Sequence, residues 1–197
     1  MTIPSGHRIR RPTRAGLALR LLLLALGWCI SLGVAAQALG GNTSEEKVKA
    51  AYLYRFISYV EWPPAAVPRS DEPYVVGVAG SDEVADELAA ISSGRMVNGH
   101  PVLVRKLRED DTIAGMHVLF LGAGARPQAL LRQAQQQPIL IVTESEGALG
   151  QGSMINFRLV DDRLRFEIAL APAERAGLKF NSRMLGVAYS VIKGSAP

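Results

Sequence analysis

The fold is decided by the stretch YVVGVAGSDEVADELAAI at residues 74–91, in which an apolar run passes directly into an amphipathic one. Residues 74–79 are apolar on both faces of an extended chain, a pattern typical of a strand buried in the middle of a sheet. Gly80 then turns the chain, and Ser81 or Asp82 is placed to cap a helix. Apolar residues recur every three or four positions after that cap, so the stretch predicts a strand followed by a helix.

Three further apolar runs extend this pattern along the chain. Residues 101–105, 116–121 and 139–143 each predict a buried strand, and a helix is expected at about 127–136 between the last two. Strands that are apolar on both faces and alternate with helices favour a mainly parallel sheet that is covered on both sides. We therefore expect an α/β fold of the Rossmann-like, three-layer type.

Toward the C-terminus the pattern changes. Residues 154–159 and 163–170 alternate between apolar and polar side chains, and Asp161-Asp162 between them predicts the turn of a β-hairpin. A short helix at 173–176 and a last amphipathic helix at about 182–193 are expected to close the chain. The full expectation is a mainly parallel sheet flanked by helices on both faces, with a C-terminal β-hairpin and helix.

Upstream of the first strand, residues 45–61 predict an amphipathic helix that ends before Pro63-Pro64. Five aromatic residues fall within residues 52–62, and most of them are expected to pack in the core. Tyr54 lies off the apolar face of this helix, and Trp62 ends it where the chain must turn. Because exposed tyrosine and tryptophan often anchor protein interfaces, Tyr54 and Trp62 are candidate partner-binding residues, with ordinary core packing as the alternative.

The first 38 residues differ from the rest of the chain. They carry five arginines and no acidic residue, and a dense apolar run leads to the small-residue sequence Ala36-Gln37-Ala38. This pattern indicates a cleaved secretion signal, with a retained membrane anchor as the alternative. We expect residues 1–38 to be removed, residues 39–44 to form a short tether, and residues 45–193 to fold as a single domain.

Charge and cysteine content limit what the folded part can do. The whole chain has 22 basic and 18 acidic side chains, but without the arginines of residues 1–38 the balance is 17 to 18, a net charge of −1. A basic surface for nucleic acid is therefore not expected. The single cysteine, Cys29, lies in the leader, so the rest of the chain offers no thiol nucleophile, thiolate zinc ligand or disulfide.

Ligands of parallel α/β sheets usually bind at the loops that follow the strands. Two such loops are rich in glycine, and Gly80, Ser81, Gly122 and Gly124 are therefore candidates for a small-molecule cleft. Neither loop completes a dinucleotide-binding or phosphate-binding motif, so glycines that shape tight turns are the alternative.

The sequence contains no recognisable group of residues spaced for catalysis or metal binding. His117 lies inside an apolar strand, where a core histidine bonded to a backbone group is expected, and His100 is not spaced to complete a metal site with it. Glu144 and Glu146 follow a strand at a position that suits acid–base chemistry, but two such carboxylates on a loop are usually solvated. We therefore predict no enzyme activity, no metal and no cofactor.

Several stretches of the chain resemble one protein family. KAAYLYRF at 49–56, followed by VEWP at 60–63, is similar to the opening motif of the YfiR/HmsC-like periplasmic repressors. Further stretches follow in the same order as in that family, at residues 97–102, 117–121, 152–157, 165–170 and 176–178, and then the closing helix. The resemblance covers residues 45–193, and the opening motif is its most specific part.

The resemblance implies regulation without catalysis. Members of this family are exported to the periplasm and bind the periplasmic sensor domain of an inner-membrane diguanylate cyclase, which keeps cyclic-di-GMP and biofilm or exopolysaccharide output low. An outer-membrane lipoprotein and a homodimer are further partners that the resemblance implies. The alternative function is a periplasmic small-molecule-binding module.

The resemblance also points to individual positions. The family's repressing surface lies near the positions that match Glu167 and Ala173, while an ordinary strand carboxylate paired with Arg165 is the alternative for Glu167. Some relatives carry cysteines around the stretch Gly152-Ser153-Met154, where this chain has Leu149 and Asn156. Redox control by a disulfide is therefore not expected in this protein.

Overall fold

A computed structural model gives the structure of residues 45–126 and 128–194. The predicted signal peptide and tether, residues 1–44, lie outside these described residues. The prediction that residues 1–38 are cleaved therefore stays a prediction.

Ten strands run through the described residues. In chain order they are β1 (Val60–Glu61), β2 (Tyr74–Ala79), β3 (Met96–Val97), β4 (His100–Leu107), β5 (Val118–Leu121), β6 (Leu140–Thr143), β7 (Ile155–Val160), β8 (Arg163–Ala169), β9 (Lys179–Phe180) and β10 (Ser190–Ile192). Eight of them form one sheet in the order β10-β8-β7-β6-β5-β2-β4-β3, and β1 pairs with β9 in a separate antiparallel ribbon.

Five helices accompany these strands. The first, α1, comprises residues 45–59. The others are α2 (Asp82–Ser92), α3 (Gln128–Ala134), α4 (Leu170–Arg175) and α5 (Ser182–Val187), with two short 3-10 turns at Pro64–Ala66 and Ala148–Gln151. The strand–turn–helix unit predicted from residues 74–91 is present, with Ser81 as the N-cap of α2.

The predicted Rossmann-like, three-layer sandwich on a mainly parallel sheet is wrong, because the eight-stranded sheet is mixed. β3, β8 and β10 run opposite to the other five strands, so antiparallel pairs occur toward both ends of the sheet, at β3–β4 and β7–β8. Nor does an α-helix follow each strand, since the chain passes from β4 to β5 and from β6 to β7 without one. The broader class, α/β, is right.

The predicted turn at Asp161-Asp162 is confirmed by its backbone geometry, and Asn98-Gly99, a sequence that also predicts a tight turn, has the same geometry. Asn98 and Gly99 have φ angles of 52° and 87° between β3 and β4, and Asp161 and Asp162 have 49° and 56° between β7 and β8. Positive φ at both central residues is the geometry of a two-residue hairpin turn that matches the twist of the flanking strands. The hairpin at β7–β8 is part of the main sheet and is not an addition to it.

The C-terminal helix is shorter than predicted. α5 ends at Val187, and the chain then forms β10, which pairs in parallel with residues 167–169 of β8. The backbone N–H of Tyr189 also donates to the carbonyl oxygen of Phe166 at 2.8 Å. Pairing with β10 gives hydrogen-bond partners to backbone groups at the edge of β8, which a longer helix would leave without partners. Residues 190–192 therefore form a strand despite their helical sequence pattern.

α1 packs against the β7–β8 hairpin through aromatic rings. Phe56 stacks on Phe157 with ring centroids 6.0 Å apart and meets the edge of Phe166 at 5.2 Å. From another side of α1, the hydroxyl of Tyr54 donates to the carbonyl oxygen of Met96 in β3 at 3.4 Å. Because α1 thus contacts strands from both ends of the strand order, the sheet curls around it.

Candidate functional site

The predicted cleft at Gly80, Ser81, Gly122 and Gly124 is filled by direct packing of the two loops. A Cβ atom on Gly124 would lie 2.8 Å from the carbonyl oxygen of Gly80, and one on Gly122 would lie 3.0 Å from the same oxygen. The Ser81 hydroxyl is engaged in capping α2, where it accepts from the N–H of Val84. Close approach of the loops therefore explains these glycines, and a ligand-binding role for the four residues stays a prediction that the packing does not support.

An open cavity of about 530 Å³ lies one strand further along, at the carboxyl ends of β5 and β6. Ala123 lines it from the loop after β5, and Glu144 from the loop after β6. The first turns of α1 contribute Glu45 and Lys49, and the β7–β8 hairpin forms the opposite wall. The cavity therefore combines residues from four separate parts of the chain, three of which contribute charged side chains.

A buried cation holds the helix side of this cavity together. Lys49 forms ion pairs with Glu144 and, at 2.7 Å, with Glu45 one turn earlier in α1. Glu144 also accepts the backbone N–H of Ala123 at 2.6 Å. Burial on its own would lower the pKa of Lys49, but the hydrogen bonds and charges of Glu144 and Glu45 outweigh it and raise the pKa above its ordinary value. Lys49 is therefore charged at neutral pH and ties α1 to the loops after β5 and β6.

Three buried polar residues, Thr143, Ser153 and Asn156, meet where β6 joins β7. The Thr143 hydroxyl donates to Asn156 Oδ1 at 2.6 Å, and the Ser153 hydroxyl donates to the carbonyl oxygen of Ile155 at 2.8 Å. Buried polar groups that find partners in this way specify one arrangement of the strands around them. The cluster therefore fixes the junction of β6 and β7, and Asn156 also lines the cavity.

Glu167 lines the opposite wall of the cavity from β8. Its side chain is only 14% exposed, and its carboxylate accepts from Arg158 Nη1 at 3.1 Å across the β7–β8 hairpin. The suggested pairing with Arg165 is wrong, because the register places Arg165 opposite Arg158 and leaves the ion pair to the diagonal neighbours Arg158 and Glu167. Glu167 is therefore held in a defined position beside the cavity.

The other predicted partner-binding residues lie apart from Glu167. Trp62 is only 7% exposed and packs against Tyr74 with ring centroids 5.4 Å apart, so its expected exposure is wrong. Ala173 is 1% exposed in α4. Tyr54 is half-buried beside β3. Partner binding by these residues stays a prediction, and buried Trp62 and Ala173 lie in the core rather than on a surface that a partner would touch.

His117 is half-buried and bonded to the backbone, so the predicted backbone bond is confirmed. Its Nδ1 accepts the N–H of Val75 at 3.0 Å, and burial lowers its pKa below the ordinary value. His100 bonds instead to the carbonyl oxygen of Glu72. In residues 45–126 and 128–194, no group of three or more histidine, cysteine, aspartate or glutamate side chains is arranged to hold a metal ion.

A second, apolar groove of about 520 Å³ runs between α1 and α5. Tyr52 and Phe166 line it, Val187 borders it from α5, and Lys47 and Arg55 flank it. Its apolar lining contrasts with the charged cavity beside β7, so the two openings suit chemically different groups.

The charged cavity also contains Lys49 and Arg158, which were not predicted from the sequence as site residues. Lys49 interrupts the apolar pattern of α1 and follows Glu45 by one helical turn, which is the spacing of an ion pair. Arg158 lies on the same face of the hairpin as Glu167, which the strand alternation and the Asp161-Asp162 turn together define. Both signals are present in the sequence, but they become specific only when the pairing of the strands is known.

Comparison with known proteins gives the family of the chain. None of the helices in residues 45–126 and 128–194 has the length and hydropathy that a membrane span requires. A comparison with curated proteins gave no significant match. A model of the YfiR/HmsC-like family matches residues 46–189, which include most of α1, the main sheet as far as β8, and the charged cavity except Glu45. The chain therefore belongs to the YfiR/HmsC-like family, a family of regulatory proteins of diguanylate cyclase signalling.

Proposed function

We propose that this protein acts in the periplasm, where it binds the sensor domain of an inner-membrane diguanylate cyclase and keeps the cyclase inactive. Membership of the YfiR/HmsC-like family supports the regulatory role, and the leader-like pattern of residues 1–38 supports export. Repression lowers the level of the cyclase's product, cyclic-di-GMP, and biofilm and exopolysaccharide output fall with it.

The observation that carries the proposal is the position of Glu167. The family resemblance leads us to expect the repressing surface near this carboxylate, which lines an open, charged cavity. Its ion pair with Arg158 holds it in one orientation, so little side-chain freedom is lost when a partner binds there. Leu159, on the other face of the hairpin, is 61% exposed and lines the same cavity.

Repression in this proposal is a difference in affinity between two states of the cyclase. A regulator shifts a two-state equilibrium only by as much as it prefers one state, and a decisive shift takes about 5.5 kcal/mol. A few well-packed residues supply most of the binding energy in typical interfaces. Such a group is offered by the hairpin residues that line the cavity, Arg158 and Glu167 from one face and Leu159 from the other.

A direct binding experiment tests this proposal. The purified protein is titrated with the purified periplasmic domain of a diguanylate cyclase from the same organism, and binding is followed by calorimetry. We expect saturable binding that Glu167→Lys weakens and that Asp71→Lys, a charge reversal on an exposed loop, leaves unchanged. Absence of binding to every periplasmic cyclase domain of the organism would contradict the proposal.

A second candidate function is small-molecule binding in the charged cavity of about 530 Å³. Lys49, Asn156 and Arg158 supply hydrogen-bond donors there, and four glutamates supply acceptors. Such a ligand would tune repression and is compatible with the first proposal. A thermal-shift screen of polar metabolites tests it, since a true ligand raises the melting temperature as its concentration rises.

The family resemblance adds two partners to the proposal, an outer-membrane lipoprotein and a second copy of the chain. Sedimentation of the purified protein tests for the homodimer. Capture from envelope extracts, with the tagged protein as bait, tests for the lipoprotein and for the cyclase in the same experiment.

A further inference from the structure

The β7–β8 hairpin extends beyond the strand on its other side. β6 ends at Thr143 and pairs with β7 only at Ile155 and Asn156, whereas β7 pairs with β8 as far as Val160. Counting only the residues that the structure describes, residues 157–160 have no strand partner on the side where β6 would continue. The hairpin thus has an open edge four residues long.

The turn of the hairpin determines which backbone groups face this edge. Asp161 and Asp162 form a two-residue turn, so Val160 and Arg163 are a hydrogen-bonded pair. In an antiparallel pair only alternate residues bond to the neighbouring strand, and the residues between them direct their N–H and C=O groups to the other side. Phe157 and Leu159 therefore direct their backbone groups to the open edge.

The charged cavity lies along this same edge. It is lined by Phe157 and Leu159 from one face of β7 and by Asn156 and Arg158 from the other face. A space that borders both faces of one strand lies beside that strand, in the plane of the sheet. The cavity of about 530 Å³ therefore occupies the place of the next strand.

The charges around the cavity favour a basic occupant. Four glutamates line it, Glu45, Glu144, Glu146 and Glu167, against two cations. Lys49 is paired with Glu45 and Glu144, and Arg158 is paired with Glu167, so the cations are already engaged by carboxylates. The excess of negative charge, with Glu146 exposed on the loop after β6, suits a lysine or arginine side chain.

We propose that the open edge of β7 at residues 157–160 binds an extended peptide segment of another protein, one that carries a lysine or arginine. The segment adds to the sheet as a strand, its backbone bonds to Phe157 and Leu159, and its basic side chain lies among the glutamates. Natural proteins usually block such edges, and this one is open beside an exposed Leu159. The inference goes beyond the proposed function, because the edge would accept such a segment whether or not it comes from a diguanylate cyclase.

The test uses three labelled ten-residue peptides and the purified protein. The first peptide alternates valine and lysine, the second alternates valine and glutamate, and the third is the first peptide with N-methyl groups on one edge of its backbone. Binding is followed by fluorescence anisotropy, and hydrogen exchange of the Phe157 and Leu159 amides is followed by NMR. We expect the basic peptide to bind and to protect both amides, and the acidic and N-methylated peptides to bind at least about ten-fold more weakly.

A pair of matched variants locates the binding in the protein. Leu159→Pro removes an N–H that faces the open edge of β7, and Met96→Pro removes one that faces away from β4 in the separate β3–β4 hairpin, at a residue that does not line the cavity. We expect Leu159→Pro to weaken binding about ten-fold and Met96→Pro to leave it unchanged. Because the N-methylated peptide needs no change in the protein, the test does not depend on the folding of either variant.

Three results would overturn the inference. The first is a basic peptide that fails to bind. The second is that the N-methylated peptide binds as tightly as the basic peptide, or that the basic peptide binds equally well to both proline variants. The third is a dimer of the protein that Leu159→Pro dissociates, since the edge would then belong to a second copy of the chain. None of these results bears on whether the protein binds a cyclase domain, so failure here is distinct from failure of the proposed function.

Discussion

Lys49 and Glu144 form an ion pair that joins the first helix to the loop after β6, with side chains only 10% and 12% exposed. The pair brings together residues that are far apart in the sequence and lies at the wall of the charged cavity. Because both charges are shielded from water, each depends on the other for its stabilisation.

The first prediction concerns this pair. Removing one partner leaves the other charge buried, so Lys49→Met or Glu144→Gln is expected to lower the free energy of unfolding by about 3 kcal/mol. The double variant is expected to lose clearly less than the sum of the two single losses, because the only charge left without its partner is Glu45, whose side chain is 29% exposed. Urea unfolding of the four proteins in a double-mutant cycle measures this difference, and strictly additive losses would show that the two residues are not coupled.

The second prediction concerns the approach of two loops. Gly80 has a φ of 77°, and a Cβ atom there would collide with the backbone of Ala125, so Gly80→Ala is expected to lower the melting temperature substantially. Gly94 also has a positive φ, 68°, but a Cβ atom there meets nothing within 4 Å. Gly94→Ala is therefore the matched control for backbone strain alone, and it is expected to lower the free energy of unfolding by about 1 kcal/mol. Equal losses in the two variants would mean that the loops do not pack as closely as the structure shows.

The third prediction concerns pH and His117. Burial lowers the pKa of His117 in the folded protein, so the unfolded chain, with a pKa of about 6.5, takes up the proton first as the pH falls. The free energy of unfolding is expected to be at its full value above about pH 6.5 and to decrease as the pH falls through the folded pKa.

The matched variant for this prediction is His117→Asn, which keeps an acceptor for the N–H of Val75 and removes the titrating ring. Thermal unfolding between pH 7 and pH 5 is compared in the two proteins. The variant is expected to lose less stability than the original protein over this range. A parallel decrease in both would assign the pH dependence to other groups, of which Glu72 and His100 act on His117 electrostatically.

The fourth prediction concerns the ion pair at the hairpin. Glu167→Gln keeps the size of the side chain and removes its charge, so Arg158 loses its carboxylate partner. Since Arg158 is half exposed, the loss of stability is expected to be small, about 1 kcal/mol or less, while affinity for a partner that contacts Glu167 falls. Unfolding curves and partner titrations of the same variant separate the two effects, and equal affinity of the variant and the original protein would exclude Glu167 from the interface.

Local features of the fold were predictable from the sequence because short-range chemistry decides them. The Ser81 cap, the Asn98-Gly99 turn and the Asp161-Asp162 turn depend on residues next to one another. The mixed sheet was not predictable in this way. Whether residues 190–192 form a helix or a strand depends on the open edge of β8, which comes much earlier in the chain.

The residues of the candidate site also divide into those that the sequence pointed to and those that only the folded chain brings together. Glu167 was a candidate because the family resemblance and the strand alternation both point to it, and it lines the charged cavity, but its role in partner binding stays a prediction. Lys49 and Glu144 were not paired in advance, since only the folded chain brings α1 to the end of β6. Trp62 was expected on the surface from its residue type, but it lies in the core because Tyr74 and His117 surround it.

The central claim is that this protein lowers cyclic-di-GMP by repressing a membrane diguanylate cyclase. The most direct measurement is the cyclic-di-GMP content of cells that lack the gene, compared with cells that carry it again as the original sequence, as Glu167→Lys or as Asp71→Lys. The account predicts a rise on deletion that the original sequence and Asp71→Lys reverse and that Glu167→Lys, present in equal amount in the periplasm, does not. An unchanged cyclic-di-GMP content on deletion would contradict it.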